Sequence, residues 1–216
     1  MSRIKRKITR RFKIFCEGDT EYNYFEYIRK NKLISLTLTS VNMCGGGYSN
    51  FLDEVKKDSN TDCLAKFIII DGDRAMSSEE KKMLKKLAEY CIQQNQSKRT
   101  PHILIVDYPD FEYVACLHCG DYSGGSVEKF ITEQLHYRTV DDFKADINVY
   151  KKLNNGKNTI KNAKIKDARR NCIIDNQFKI NKSKFEINVN GTCFFEENIG
   201  KRGTNFQDFT KIVEGL

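Results

Sequence analysis

The sequence predicts an α/β fold with a mostly parallel, helix-covered sheet, on three observations. Short apolar runs alternate with helix-like segments through the first half of the chain. Two of the runs, residues 65–70 and 102–107, are almost continuously apolar, as in strands buried on both faces. Two runs also lead straight into carboxylates. Ile14-Phe15-Cys16 is followed by Glu17-Gly18-Asp19, and Phe67-Ile68-Ile69-Ile70 by Asp71-Gly72-Asp73.

Residues 11–16 read as the first strand and 20–31 as the helix behind it. That helix has Tyr24, Phe25 and Ile28 on one face and Asp19 or Thr20 at its N-cap. Residues 34–43 are β-branched and partly alternating, which predicts a second strand. Gly45-Gly46-Gly47 breaks the chain before a short helix carrying Phe51, Leu52 and Val55, with Ser49 as its cap. The glycines there suit either a phosphate-binding backbone or a plain turn. The third strand is 65–70. Residues 77–94 are the clearest helix, capped by Ser77 and Ser78, with Met83, Leu84, Leu87 and Tyr90 or Cys91 as its stripe. The fourth strand, 102–107, follows Pro101. From Phe111 the pattern turns helical, around 111–119, 126–136, 140–153 and 158–171. In residues 174–197, Phe178, Ile180, Phe185, Ile187 and Val189 alternate with polar residues, and Asn190-Gly191 is a turn signal. This segment predicts a β-hairpin or an extended arm. A last amphipathic helix covers 205–215. The division is a basic tail over 1–10, an α/β domain over 11–120, and a mainly helical extension over 121–216 that contains the hairpin or arm.

Hydrophobic residues make up 39% of the 216 and charged residues 31%, the balance of a soluble globular chain. No apolar run approaches the length of a membrane span, and no apolar stretch follows the basic N-terminus to make a secretory signal. Eight cysteines are scattered, several inside apolar runs, and Cys116-Leu117-His118-Cys119 is the one C-x-x-C. Reduced, packed thiols in the cytoplasm are expected rather than a zinc site. The formal net charge of +8 is uneven. Arg3, Lys5, Arg6, Lys7, Arg10, Arg11 and Lys13 crowd the start, and a second basic stretch runs from Lys144 to Arg170 and on through Lys179, Lys182 and Lys184. Such a field favours a polyanion, nucleic acid first. Arg3, Lys5, Arg6, Lys7, Arg10 and Arg11, with Arg74 beside the acids, are its expected contacts.

Ligands of open α/β sheets bind at the carboxyl ends of the strands, so Glu17, Asp71 and Asp73 are expected at one sheet edge. Carboxylates crowded there repel one another, and a divalent cation is the usual remedy. Alone, D-x-D after a strand also suits a sugar-nucleotide site, a phosphatase or a turn. Here Arg74 follows it and a complete strand–helix–strand–helix block precedes it, unlike a phosphatase of the haloacid dehalogenase type. The chain is also short for a glycosyltransferase. His118, beside an apolar helix, reads first as structural. Tyr22, Tyr24, Phe25 and Tyr27 are divided between base stacking and core.

A Glu on the first strand with D-x-D on the third resembles the Toprim domain, a metal-binding module of topoisomerases, primases and several nucleases. IFCEGDTEYNYFEYI is similar to the opening motif of RloB-like proteins, and DYPDFEYVACLHCGDY resembles their later N-P-x-F-E-x-W-x-L-L-H-F motif. Pro109, Phe111, Glu112, Leu117 and His118 match, while Tyr108 stands for the Asn and Val114 for the Trp. Tyr150-Lys151-Lys152, the run NTIKNAKIKDARR and the closing helix also fit; residues 174–197 have no counterpart. The resemblance implies a Toprim-like nuclease of bacterial phage defence and abortive infection, dependent on Mg²⁺ or Mn²⁺ and cutting DNA or RNA, tRNA included. It implies catalytic and metal-binding roles for Glu17, Asp71 and Asp73, with Glu21 and Glu112 as further motif acids. A separate ATPase is the expected partner, since the chain has no G-x-x-x-x-G-K-[ST] loop of its own, and a homo-oligomer is expected too. The alternative is a non-cutting module that binds nucleic acid or the ATPase.

Overall fold

A computed structural model describes residues 11–31, 37–42, 46–59, 62–97, 100–119, 121–154 and 168–216. The chain begins with β1 (Arg11–Cys16), α1 (Asp19–Asn31), β2 (Thr37–Asn42), α2 (Tyr48–Lys57), β3 (Ala65–Asp71), α3 (Ser78–Gln96) and β4 (His102–Tyr108). One 3₁₀ turn, Asp73–Met76, joins β3 to α3. There follow α4 (Phe111–Leu117), α5 (Val127–Lys129) running into a π turn over Phe130–Gln134, α6 (Val140–Ala145) and α7 (Val149–Asn154). Strands β5 (Ile174–Asn181), β6 (Glu186–Phe194) and β7 (Gly203–Thr204) precede a closing helix, Gln207–Gly215. The expected helix over 158–171 lies outside the described residues except at its end, where Arg169–Asn171 form a 3₁₀ turn. Residues 34–36 and 43 of the expected second strand also lie outside them.

The main sheet has the order β2-β1-β3-β4-β7. β1 is parallel to both β2 and β3, β3 is parallel to β4, and only the two-residue β7 runs antiparallel, beside β4. The chain leaves β1 to one side for β2 and returns on the other side for β3. The switch point of the sheet therefore lies between β1 and β3, where open α/β sheets bind their ligands.

Alternation along the strands sends side chains to opposite faces. Phe12, Ile14, Phe67, Ile69, Ile103 and Ile105 face α1, α4 and the closing helix, in a core with Tyr24, Phe25, Phe111, Phe206 and Phe209. Phe15, Ile68, Ile70, Leu104 and Val106 face α2 and α3, in a core with Tyr48, Phe51, Val55, Leu84 and Leu87. Ser77 caps α3 by accepting from the Glu80 N–H. The N-terminus of α2 is occupied from within: Gly47, not Ser49, is its N-cap, and the Tyr48 N–H donates to Glu80 Oε2 at 3.1 Å. Protein carboxylate thus stands where a phosphate was one expectation.

The 174–197 segment folds back as a local antiparallel hairpin, β5 with β6. Its turn is at residues 182–185, and Asn190-Gly191 lies inside β6, where the register slips between Gln177 and Phe178 and Asn190 is left without a partner residue. The turn signal there marks a bulge. The hairpin also feeds the cores, through Ile174 on one face and Ile187 on the other. Asn176 and Asn205 both donate to the Leu104 carbonyl, and the Val106 N–H donates to Asn205, so side chains satisfy the outer edge of β4. No helix among the described residues is long and apolar enough to cross a membrane.

Candidate functional site

Glu17 directly follows β1 and Asp71 ends β3, so the parallel pairing that aligns Cys16 with Ile69 sets both acids at the switch point. The Asp71 N–H donates to Glu17 Oε2 at 3.2 Å, and Arg74 Nε donates to Glu17 Oε1 at 2.9 Å. From the second core, the Tyr48 hydroxyl donates to the Asp71 carbonyl at 2.6 Å. The Asp71 carboxylate turns the other way and accepts the Phe111 N–H at the start of α4, 2.9 Å from Oδ1.

Behind this pair lie buried acids. Glu21 on α1 and Glu112 on α4 are each 2% exposed, and Asp107 on β4 is fully buried. Thr20 donates its hydroxyl to Glu112 Oε1, and Lys144 on α6 stands 3.3 Å from Glu112 Oε2. Thr204 donates to Asp107. Glu21 Oε1 is buried with no hydrogen-bond partner. Its other oxygen lies against Gly18, where a Cβ would stand 3.0 Å from Oε2 and press on the Glu21 carboxylate.

Burial, with repulsion between neighbours, lifts Glu17, Glu21, Asp71, Asp107 and Asp110. Burial first, then Glu112, Asp107 and Glu17, pushes Glu21 up to about 8. Burial, then Glu21, Glu112 and Glu17, holds Asp71 well above the usual carboxylate range. Glu17 is raised by burial and by Asp73, against the opposing pull of Arg74. Asp107 goes to about 8 and Asp110 to about 6, both chiefly by burial. Burial works against the charge of Lys144, but Glu112, Asp71 and Asp110 outweigh it and raise its pKa.

The structure thus gathers Glu17, Glu21, Asp71 and Glu112. Asp73 is exposed at the start of the 3₁₀ turn, outside the buried group, and acts on Glu17 by its charge. Gly72 passes close to β4, its N–H donating to the Asp107 and Pro109 carbonyls. Arg11 opens β1 at the opposite end of the sheet, and Arg3, Lys5, Arg6, Lys7 and Arg10 lie outside the described residues. Lys144 was legible only as one charge in a basic stretch. Asp107 ends its apolar run as Asp71 follows its own, while Tyr48 and Asp110 carried no sequence signal of their own. His118 is buried and stacks on Tyr24 at 5.5 Å between centroids, and Tyr24 and Phe25 are core while Tyr22 and Tyr27 are partly exposed.

Among the described residues, no three His, Cys, Asp or Glu side chains form a ready metal cage. The donor chemistry nonetheless fits a hard cation: oxygen ligands only, in excess of their counter-charges, with Glu21 Oε1, Glu112 Oε2 and Asp107 Oδ2 buried and without a hydrogen bond. Mg²⁺ keeps most of its waters and takes one or two carboxylates plus substrate phosphate, so it does not need a closed cage.

A mostly parallel α/β sheet with carboxylates massed at its switch point defines an α/β protein with an acidic strand-end site. A family profile described as RloB-like protein matches residues 12–194, and the chain belongs to that family. Comparison with curated proteins and with solved structures finds no match.

Proposed function

We propose that the protein is a Toprim-type, metal-dependent nuclease that hydrolyses phosphodiester bonds of DNA or RNA in bacterial phage defence. One observation carries it: Glu17 and Asp71 stand at the ends of two adjoining parallel strands, with Glu21 and Glu112 buried behind them. Carboxylates crowded in this way are costly to keep, and a bound cation would offset that cost. Asp71 and Glu17 would hold Mg²⁺ or Mn²⁺, with Asp73, Glu21 and Glu112 as further ligands or partners of its waters. When bound, the ion supplies Lewis-acid polarisation of the phosphate and a water of lowered pKa. Glu17, lifted by burial, is suited to accept a proton from the attacking water. Tyr48 fixes the Asp71 backbone, and the Phe111 N–H holds the Asp71 carboxylate in one orientation. Arg74 and Lys144, each with nearly half of its side chain exposed, can reach a phosphate from the edge.

The second reading is a non-cutting module that holds nucleic acid or a partner ATPase. It is favoured by the pairing of Glu17 with Arg74, which already neutralises one acid. Incubating purified protein with labelled DNA, total RNA and tRNA, with and without Mg²⁺ or Mn²⁺, separates the two. Metal-dependent cleavage of any of them is the expected result. Binding without cleavage in every metal supports the module.

A further inference from the structure

Among the described residues, Arg74 and Lys144 pair with these acids in similar settings. Arg74 Nε is 2.9 Å from Glu17 Oε1; the arginine side chain is 43% exposed and the glutamate's 6%. Lys144 Nζ is 3.3 Å from Glu112 Oε2, with side chains 42% and 3% exposed. In both pairs the acid is buried and the base stands at the surface, on a different segment of the chain. Arg74 comes from the 3₁₀ turn after β3, and Lys144 from α6, whose position against α1 is tied by Asn23 Nδ2 donating to the Lys144 carbonyl at 3.2 Å. Lys144 also feels Asp71 and Asp110, and Arg74 also feels Asp73 and Glu80, so each base serves several acids.

We propose that Arg74 and Lys144 are exchangeable counter-ions, which balance the acids at rest and transfer to substrate phosphates when nucleic acid binds. This rests on the nuclease reading and adds to it a coupling between metal and substrate. A phosphodiester carries the same charge as a carboxylate and offers oxygens in a matching geometry, so a half-exposed guanidinium or ammonium can trade one for the other with little reorganisation. The trade leaves Glu17 and Glu112 without their bases and so raises the affinity of the site for a divalent cation. By linkage the cation raises the affinity for nucleic acid by the same factor. Full counter-charge at the acids would then arrive only with a substrate present, which keeps the resting protein poorly metallated.

The test is Mn²⁺ affinity, read by electron paramagnetic resonance of the free ion. It is measured with and without short phosphorothioate oligonucleotides, one DNA and one RNA, that resist cleavage. Wild type is expected to bind Mn²⁺ about two- to fivefold more tightly with an oligonucleotide than without, the range of a partly exposed ion pair. Arg74→Gln and Lys144→Gln should each bind Mn²⁺ more tightly than wild type in the absence of oligonucleotide, and gain less when it is added. Arg74→Lys and Lys144→Arg, which keep the charge, should behave as wild type; they also report on the site if a Gln variant melts early. A wild-type affinity that ignores both oligonucleotides, or Gln variants with undiminished coupling, would overturn the exchange and leave the nuclease intact. Wild type that binds no Mn²⁺ under either condition removes the metal centre itself, and the exchange with it.

Discussion

At residue scale the acids separate into those placed for chemistry and one kept at a cost. Glu17 and Asp71 are each held by backbone or side-chain donors at the strand ends. Asp71→Asn and Glu17→Gln should lower metal-dependent cleavage by about three decades, corresponding to ~4 kcal/mol of transition-state stabilisation. Single-turnover assays of the purified variants measure this, and full activity in both would remove them from the site. Glu21 is buried with an unpartnered oxygen beside three other acids. Glu21→Gln should therefore stabilise the metal-free protein by on the order of 1–3 kcal/mol in urea unfolding; a loss of stability would mean that the charge is already compensated. His102 behaves in the opposite sense. It is 3% exposed, its Nδ1 lies 2.8 Å from the Thr100 carbonyl, and burial with Lys66 nearby lowers its pKa from 6.5 to about 4. Between those values the unfolded chain takes the proton and the folded chain does not. The stability is thus complete above pH 6.5 and lost as pH falls towards 4, by at most about 3 kcal/mol. His102→Phe should flatten that part of the stability–pH curve, measured by urea melts from pH 7 to 4; an unchanged slope assigns the acid sensitivity to other groups.

At the scale of elements, polar side chains dock the hairpin and the closing helix together. Asp208, fully buried on the closing helix, accepts from Asn176 on β5, from Asn205 and from Arg169, and Arg169 also pairs with Asp175. One acid here satisfies donors from three segments. Asp208→Ala should cost roughly 3–5 kcal/mol, because it leaves a guanidinium and two amides facing an empty site. Urea unfolding measures it, and a cost below about 1 kcal/mol would mean the elements are docked by their apolar contacts alone. The hairpin also shows how a local signal misleads. Asn190-Gly191 has the composition of a two-residue turn, yet Gln177 pairs with Gly191 and Phe178 with Val189, and the reversal comes at 182–185. Packing of Ile174, Ile187 and Phe194 on the body sets the register, and the flexible Asn-Gly step absorbs the extra residue.

At the scale of the molecule, the core under the sheet draws on both ends of the chain. Phe12 and Phe67 share one cluster with Phe206, Phe209, Ile212 and Val213, and Phe209 lies 5.0 Å from Phe67 between ring centroids. Removing residues 203–216 would strip four buried apolar side chains and the β7 pairing from that face. Buried aromatics of this size are worth about 3–5 kcal/mol each on truncation, so the shortened chain should show no cooperative unfolding transition by calorimetry. A sharp melt near that of the full chain would make the closing segment an appendage.

The four parallel strands, the first three helices and the acids at the ends of β1 and β3 were readable from residue order. Apolar runs, breaks and caps are local properties, and a parallel sheet obliges carboxylates that follow its strands to share an edge. Tertiary structure alone decided which of those acids meet and what answers their charge. Glu21 and Glu112 come together because α1 and α4 cover the same face, and Lys144 reaches Glu112 from a helix far along the chain. Asp73, one residue beyond Gly72, turns out to solvent because a 3₁₀ turn begins there. Spacing along a sequence fixes distances of a few residues, whereas burial and charge balance depend on which surfaces pack together.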